Sequence, residues 1–334
     1  MEKFLKGDSD HAASELIKHF EMGGLRTIIR NLNALPDEKK IQYMHVLRHM
    51  DLFRFRNDLN ANLTEAKDDT SKMVALRLLA TFGDRLSPEV FEPHVANEEN
   101  SVAVRLAACS GLIQAQRPSN YDRFIEIANK AIVDPTTGQD DFAFAEISHQ
   151  NRGFFLYTKS KLEDKKAPTG AILISVYLAQ NKNDDIYTNV LNLRRRKLVP
   201  YMIDRAVMAG APALLDVMAE HRSAKKFRDQ ISRAKPAAQA VAKYRAKFFD
   251  QYEKDQAPIA ARIPHKGTGS AAEGNYHAAY AVVEVSAEGD MKVVVHEKPF
   301  GSGGDNLQSV LSGKTLPAYV KWQPVASYYL VVAP

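Results

Sequence analysis

His45 and His49 stand four residues apart in an apolar-periodic stretch, which places both imidazoles on one face of a helix. That spacing can hold a metal ion, but the glutamate that follows the first histidine of a metalloprotease helix is missing, and no third ligand is nominated. These histidines read as surface or interface residues. Cys109 is the single cysteine, so no internal disulfide can form. It falls on the apolar side of its helix and reads as a small core side chain. Gly301-Ser302-Gly303-Gly304-Asp305 and Gly267-Thr268-Gly269-Ser270 lack the Lys-Ser/Thr ending and the strand–loop–helix context of a phosphate-binding loop, Gly313-Lys314-Thr315 comes too late and in the wrong context, and all three read as mobile loops. Gly153 with Asn151 reads as a local turn. There is no Cys-x-x-Cys pair, no Gly-x-Ser-x-Gly elbow and no dinucleotide fingerprint. Catalytic, cofactor and metal residues are therefore assigned to none.

The chemistry that remains is electrostatic. Between Arg194 and Arg262 there are 16 Lys or Arg residues against 7 Asp or Glu, a net +9 within a chain of net +5. Arg194, Arg195, Arg196 and Lys197 form one cluster. Residues 221–249 hold nine basic residues and a single acid, Asp229. Arg222, Lys225, Lys226, Arg228, Arg233, Lys243, Arg245 and Lys247 are the candidates there, together with Lys235. Such a surface can neutralise phosphates without reading bases. The competing reading is a solvated helix face whose charges offset acids elsewhere in the protein.

Helices must carry these charges. Ala237, Val241, Tyr244, Phe248 and Tyr252 make an apolar stripe at helical spacing, with Lys243, Arg245 and Lys247 largely off it. The first 255 residues read as helices separated by short breaks such as Gly23-Gly24, Pro36, Pro135-Thr136-Thr137-Gly138 and Ala167-Pro168-Thr169-Gly170. The stretch 38–59 reads as one helix or as two with a bend near Asp51. Separate helices fit 221–233 and 236–254.

Within this region Val74-Ala75-Leu76-Arg77-Leu78-Leu79-Ala80-Thr81-Phe82-Gly83 is echoed 28 residues later by Val102-Ala103-Val104-Arg105-Leu106-Ala107-Ala108-Cys109-Ser110-Gly111. Val74, Leu78 and Phe82 suit one packed face, Arg77 and Arg105 match, and Gly83 and Gly111 suit helix ends. The segment 71–116 resembles HEAT-like or armadillo-like helical repeats, in which a Val-Arg-x-x-Ala helix is common. The 28-residue offset is short beside the roughly 40 of that class. The resemblance implies stacked helices that present a binding surface.

After residue 255 the period changes. Residues 256–275 are rich in Pro and Gly and read as a linker or surface arm. Tyr280–Val285 and Lys292–His296 flank a turn at Ala287-Glu288-Gly289-Asp290 and read as a hairpin. Tyr319–Trp322 and Tyr328–Val332 add two strands, with Pro317 and Pro324 at their margins. A sheet this short needs a helical layer on one face.

The expected fold is therefore mostly α, an irregular helical-repeat-like array over 1–255. A linker at 256–275 and a small antiparallel β unit over 276–334 complete it. No apolar run approaches the roughly 18 residues that suggest a membrane span, and the first residues lack a signal-peptide core. A cytoplasmic protein without cofactor is the expectation. It would bind another protein or its own copies as a scaffold or assembly component. The alternatives are phosphate contacts to RNA or DNA through 194–254 and a structural role in a larger particle. Asn62-Leu63-Thr64 matches the glycosylation triplet by chance.

Overall fold

The computed structural model describes residues 10–48, 50–115, 118–131, 151–179, 182–251, 261–264, 279–299, 313, 317–320 and 323–333. Thirteen α-helices occur among them: α1 (Asp10–Arg30), α2 (Asp37–Leu47), α3 (Arg56–Glu65), α4 (Asp69–Ala80), α5 (Glu92–Ala96), α6 (Val102–Gln114), α7 (Tyr121–Ala131), α8 (Arg152–Ser160), α9 (Thr169–Leu178), α10 (Asp184–Asn192), α11 (Val199–Met208), α12 (Pro212–Glu220) and α13 (Arg228–Gln251). Among the described residues no helix is long and apolar enough to cross a membrane.

Helices pack on their successors and on the helix two along. α2 meets α4, α4 meets α6, α7 meets α9, and α11 and α12 both meet α13. Leu76, Leu78 and Leu79 of α4 and Leu106, Leu112 and Ile113 of α6 have no exposed surface. Each such side chain contributes about 1.5–3 kcal/mol by leaving water. Polar ties fix the layers at defined heights. Lys40, buried on α2, donates to Asp37 at 2.9 Å and to Asp68 at 3.2 Å. Asp68 in turn caps α4 by accepting the Ser71 N–H at 2.7 Å and the Ser71 hydroxyl at 2.9 Å. Asn62 donates to the Ile29 carbonyl at 2.6 Å from a buried position, so the chance glycosylation triplet has an interior asparagine.

Two details depart from the sequence expectation, and one more settles an alternative that it left open. Gly83 follows α4 with φ +59, as a helix-ending glycine should. Gly111, expected to end its helix, instead lies inside α6, where an added Cβ would come within 2.4 Å of the Phe91 ring. The caps, not the echo, set the register: Asp68 and Ser101 stand 33 residues apart, five more than the echo. Arg77 consequently falls in the last turn of α4, fully buried, while Arg105 lies in the first turn of α6 and donates to the Val95 carbonyl at 3.2 Å. Second, α2 ends at Leu47 and a 3₁₀ turn at Phe53–Phe55 precedes α3, so 38–59 is two helices. Third, α13 runs unbroken through Pro236, with a 3₁₀ segment over Arg222–Phe227 before it. Pro236 is exposed, while Ala234, Ala237, Ala238 and Val241 around it are buried and hold the helix on the core.

The β region holds β1 (Ala261–Pro264), β2 (Ala279–Val285), β3 (Met291–Glu297), β4 (Ala318–Val320), β5 (Gln323–Val325) and β6 (Ser327–Ala333). β2 and β3 form the expected hairpin, closed by Gly289 donating to Ser286 and Ser286 to Asp290. β6 runs antiparallel to β2, and the main sheet has the order β1-β6-β2-β3. β4 and β5 pair separately, with Pro324 inside β5 opposite Tyr319 and not at its margin.

β1 corrects the linker expectation. Ala261-Arg262-Ile263-Pro264 pairs in parallel with β6, so the sheet is not wholly antiparallel. Its proline is tolerated because β1 is an edge strand. The rest of 256–275 lies outside the described residues. One face of the sheet rests on α13, β1 reaches α2, and β5 touches α1. Tyr280, Val282, Tyr328 and Leu330 belong to the same hydrophobic core as the helices. The β region thus contacts both the first two helices and the last helix of the array.

Two substitutions probe this packing and capping. Gly111→Ala is expected to destabilise by about 1–3 kcal/mol through the clash with Phe91, despite a helix-propensity gain of about 1 kcal/mol. Adding Phe91→Leu should recover part of that loss in urea unfolding, whereas equal stability of Gly111→Ala and wild type would refute the close packing. Partial burial pushes the Asp68 carboxyl up, but the bonds from Ser71 and Lys40 outweigh it and hold the carboxyl below its ordinary range. A depressed folded pKa stabilises above the unfolded value and the benefit disappears as pH falls through the folded one. Asp68→Ala should therefore cost about 1 kcal/mol at neutral pH, and the gap to wild type should narrow on acidification below the carboxylate range.

Candidate polyanion-binding surface

Two chain reversals carry the basic clusters. After α10, Arg194 adopts φ 55, a left-handed conformation normally left to glycine. The Arg194 N–H donates to the Leu191 carbonyl at 3.1 Å and the Arg196 N–H to the Arg194 carbonyl at 2.9 Å, so the chain turns tightly into α11. Arg194, Arg195, Arg196 and Lys197 are all exposed on this turn. Arg195 is steadied by donating to the Ala167 carbonyl at 3.3 Å.

The second reversal follows α12. His221 Nδ1 accepts the Ser223 N–H at 3.2 Å and so starts the 3₁₀ segment Arg222–Phe227. With Nδ1 accepting, Nε2 carries the proton and donates to Asn192 Oδ1, 3.2 Å away at the end of α10. The Arg222–Phe227 segment also packs against both α10 and α11, so the two reversals lie side by side. Arg194–Lys197 on one and Arg222, Lys225, Lys226 and Arg228 on the other become neighbours. Arg228 donates to the Ala219 carbonyl at 3.1 Å while remaining exposed. From 194 to 229 the exposed acids are Asp216, Glu220 and Asp229, and Asp216 is engaged by Lys235 at 2.7 Å. Eight exposed cations thus outweigh the acids on their surface, an arrangement that attracts phosphates.

The remaining candidates do not join this group. Arg233 is exposed further along α13. Lys243 is exposed and Arg245 donates to the Ala209 carbonyl at 3.2 Å, near the opposite end of α11. From Arg228 to Lys243 the helix advances about 22 Å at 1.5 Å per residue. The Lys247 side chain lies outside the described residues.

The other sequence candidates resolve as follows. His45 lies in α2 with its side chain outside the described residues, and His49 is outside them altogether. Cys109 is buried, its thiol pushed up to about 12 by burial, with Glu92 adding to the shift and Arg123 and Arg105 opposing it. Such a thiol is an inert core group. Asn151 caps α8 by accepting the Phe154 N–H at 3.1 Å, so Gly153 is helical and not in a turn. Of the glycine segments only Gly313 is described, with φ +123. Among the described residues no group of three or more His, Cys, Asp or Glu side chains is placed to hold a metal.

Sequence reasoning missed the support beneath the surface. Asp204 and Arg205, adjacent on α11, are both buried. Arg205 Nε donates to Asp204 Oδ2 at 3.2 Å, and the Tyr280 hydroxyl of β2 donates to Asp204 Oδ1 at 2.9 Å. The guanidinium lies 5.4 Å from the Tyr177 ring centre and 5.5 Å from that of Tyr201. Tyr201 donates to the Leu173 carbonyl at 3.2 Å, and Tyr187 donates to the Met202 carbonyl at 2.9 Å. Burial pushes the Tyr187 phenol well up, so it is a permanent donor. The signal available was an Asp-Arg pair inside the apolar run Val199–Met208. Comparison with models of known families, with curated proteins and with solved structures finds no match to this chain.

The Tyr280 bond is open to test. Tyr280→Phe removes one donor from a buried carboxylate and should cost about 1–3 kcal/mol. Urea unfolding checks this, and an unchanged midpoint would refute the clamp between sheet and helices.

Proposed function

We propose that the protein is a non-catalytic binding protein whose helical array is a platform and whose junction surface holds nucleic-acid phosphates. The observation that carries this reading is Arg194. A left-handed arginine costs about 1–2 kcal/mol relative to a relaxed backbone, and glycine would relieve that strain. Arginine stands there instead, at the head of four consecutive cations and beside four more. Strain retained at one point of a concentrated charge supports a functional reading.

The platform reading agrees with the resemblance of 71–116 to HEAT-like repeats, whose stacked helices present extended surfaces. Cations carried on two turns suit contacts to phosphates, which hold a nucleic acid without reading its sequence. A cytoplasmic setting suits this activity, since a lone buried cysteine has no need of an oxidising compartment.

Arg194→Gly separates stability from binding. It should raise stability by about 1 kcal/mol and weaken binding to labelled RNA or DNA in fluorescence anisotropy. Lys225→Glu, Lys226→Glu and Arg228→Glu together should nearly abolish binding. Milder Lys225→Gln and Lys226→Gln changes should flatten the dependence of log affinity on log salt by about 0.7–0.9 for each phosphate no longer neutralised. Absence of wild-type binding at low salt would sink the nucleic-acid reading and assign the surface to an acidic protein partner or to a second copy in an assembly.

A further inference from the structure

A second group of cations lies near the start of the chain, assembled from two segments. The turn between α2 and α3 reads Leu52-Phe53-Arg54-Phe55-Arg56. Leu52 and Phe55 are buried and anchor it, which leaves Phe53 half-buried and Arg54 and Arg56 exposed. Phe82, itself buried, meets the Phe53 ring edge-on, with centroids 5.5 Å apart and planes at 84°. That contact fixes the orientation of the Phe53 ring. Arg85 follows α4, and its guanidinium carbon lies 4.7 Å from the Phe53 ring centre. Its Nε donates to the Phe82 carbonyl at 3.4 Å, which steadies it further. Arg56 places its guanidinium 5.5 Å from the same ring centre.

Among the described residues no acid forms an ion pair with Arg54, Arg56 or Arg85. Asp58 is taken by Arg26 at 3.2 Å and Arg30 at 2.7 Å. Asp51 accepts the Phe53 N–H at 3.3 Å, and Asp84 is exposed beside Arg85. Two exposed guanidiniums, those of Arg56 and Arg85, therefore lie on one oriented aromatic ring, and Arg54 is exposed on the same turn.

We propose that Phe53, Arg54, Arg56 and Arg85 form a stacking subsite for an unpaired nucleobase and its neighbouring phosphate, which makes the ligand single-stranded. This rests on the nucleic-acid reading above and adds the form of the ligand. A guanidinium held on an aromatic ring is planar, weakly hydrated and preorganised. Its face stacks with a base, while the N–H groups in its plane remain free for phosphate oxygens. Bases in a duplex are already stacked on each other and cannot use such a platform.

The test uses the full chain with labelled oligouridine, labelled oligothymidine and a duplex of matched phosphate number. Phe53→Leu keeps the apolar anchor and removes the ring. It should weaken single-strand binding about 5- to 100-fold and leave duplex affinity within about two-fold. RNA and DNA strands are expected to respond alike, because stacking does not need the 2′-hydroxyl. Arg54→Gln with Arg85→Gln, at exposed positions, should weaken single-strand binding and lower its salt dependence. A fold-independent readout is photocrosslinking of an iodouracil-substituted strand to the wild type, expected within residues 51–56. Equal losses for single strand and duplex, an unaffected Phe53→Leu or crosslinks only at the junction surface would each overturn the subsite while leaving phosphate binding intact. No binding by the wild type would overturn both proposals.

Discussion

Asp204 and Arg205 take opposite charges to a place that water does not reach, and much of the molecule is arranged around that constraint. A buried ion pair is worth little unless its remaining hydrogen-bonding capacity is met, and removing one partner leaves a costly isolated charge. The fold meets the demand from two directions. Tyr280 comes from the sheet to satisfy the carboxylate, and the Tyr177 and Tyr201 rings lie against the guanidinium. Helix α11 is thereby fixed to α9 on one side and to β2 on the other. The sheet is held to the helices by a directional bond as well as by apolar burial, which alone would tolerate sliding.

That fixation has a consequence at the surface. The strained turn at Arg194 joins α10 to α11, so its geometry is only as definite as the two helices it connects. Tyr187 of α10 donates to Met202 of α11, which locks the pair from within. The His221–Asn192 bond then sets the second basic turn against the first. Exposed lysines and arginines repel one another, and a flexible loop would spread them apart. A rigid base keeps them concentrated against that repulsion, which a bound polyanion would relieve on the proposed reading.

Much of the architecture could be read from periodicity. Ala237 and Val241 are buried as the 3.6-residue spacing requires, and Tyr244, half-buried on the same stripe, meets Tyr328 of the sheet with centroids 5.9 Å apart. The β2–β3 hairpin was legible because Gly289 and its neighbours announce a short turn. What escaped were decisions made between distant segments. β1 is four residues long and becomes a strand only by pairing with β6 far down the chain. The echo at 74–83 and 102–111 suggested equivalent glycines, but Asp68 and Ser101 choose where each helix begins, and Gly111 is drawn inside to admit Phe91. The basic residues were visible individually, yet a histidine–asparagine bond decides which of them are neighbours. Arg56 and Arg85 gave no signal at all, since they meet only on the Phe53 ring.

The charge distribution explains why the two cation groups should work differently. Residues 194–262 carry net +9 in a chain of net +5, so the remainder sums to −4. The positive excess is shared between the eight exposed cations of the junction surface and those further along the chain, on α13 and beyond. The Phe53 group belongs to the net-negative remainder, where Asp51, Asp58 and Asp84 stand close by. Coulomb attraction there is short-ranged and partly cancelled within a Debye length. Phosphate contact alone would not hold a strand at that place. On the proposed nucleic-acid reading, an aromatic ring that adds stacking, which salt screens far less than charge, is what such a location needs.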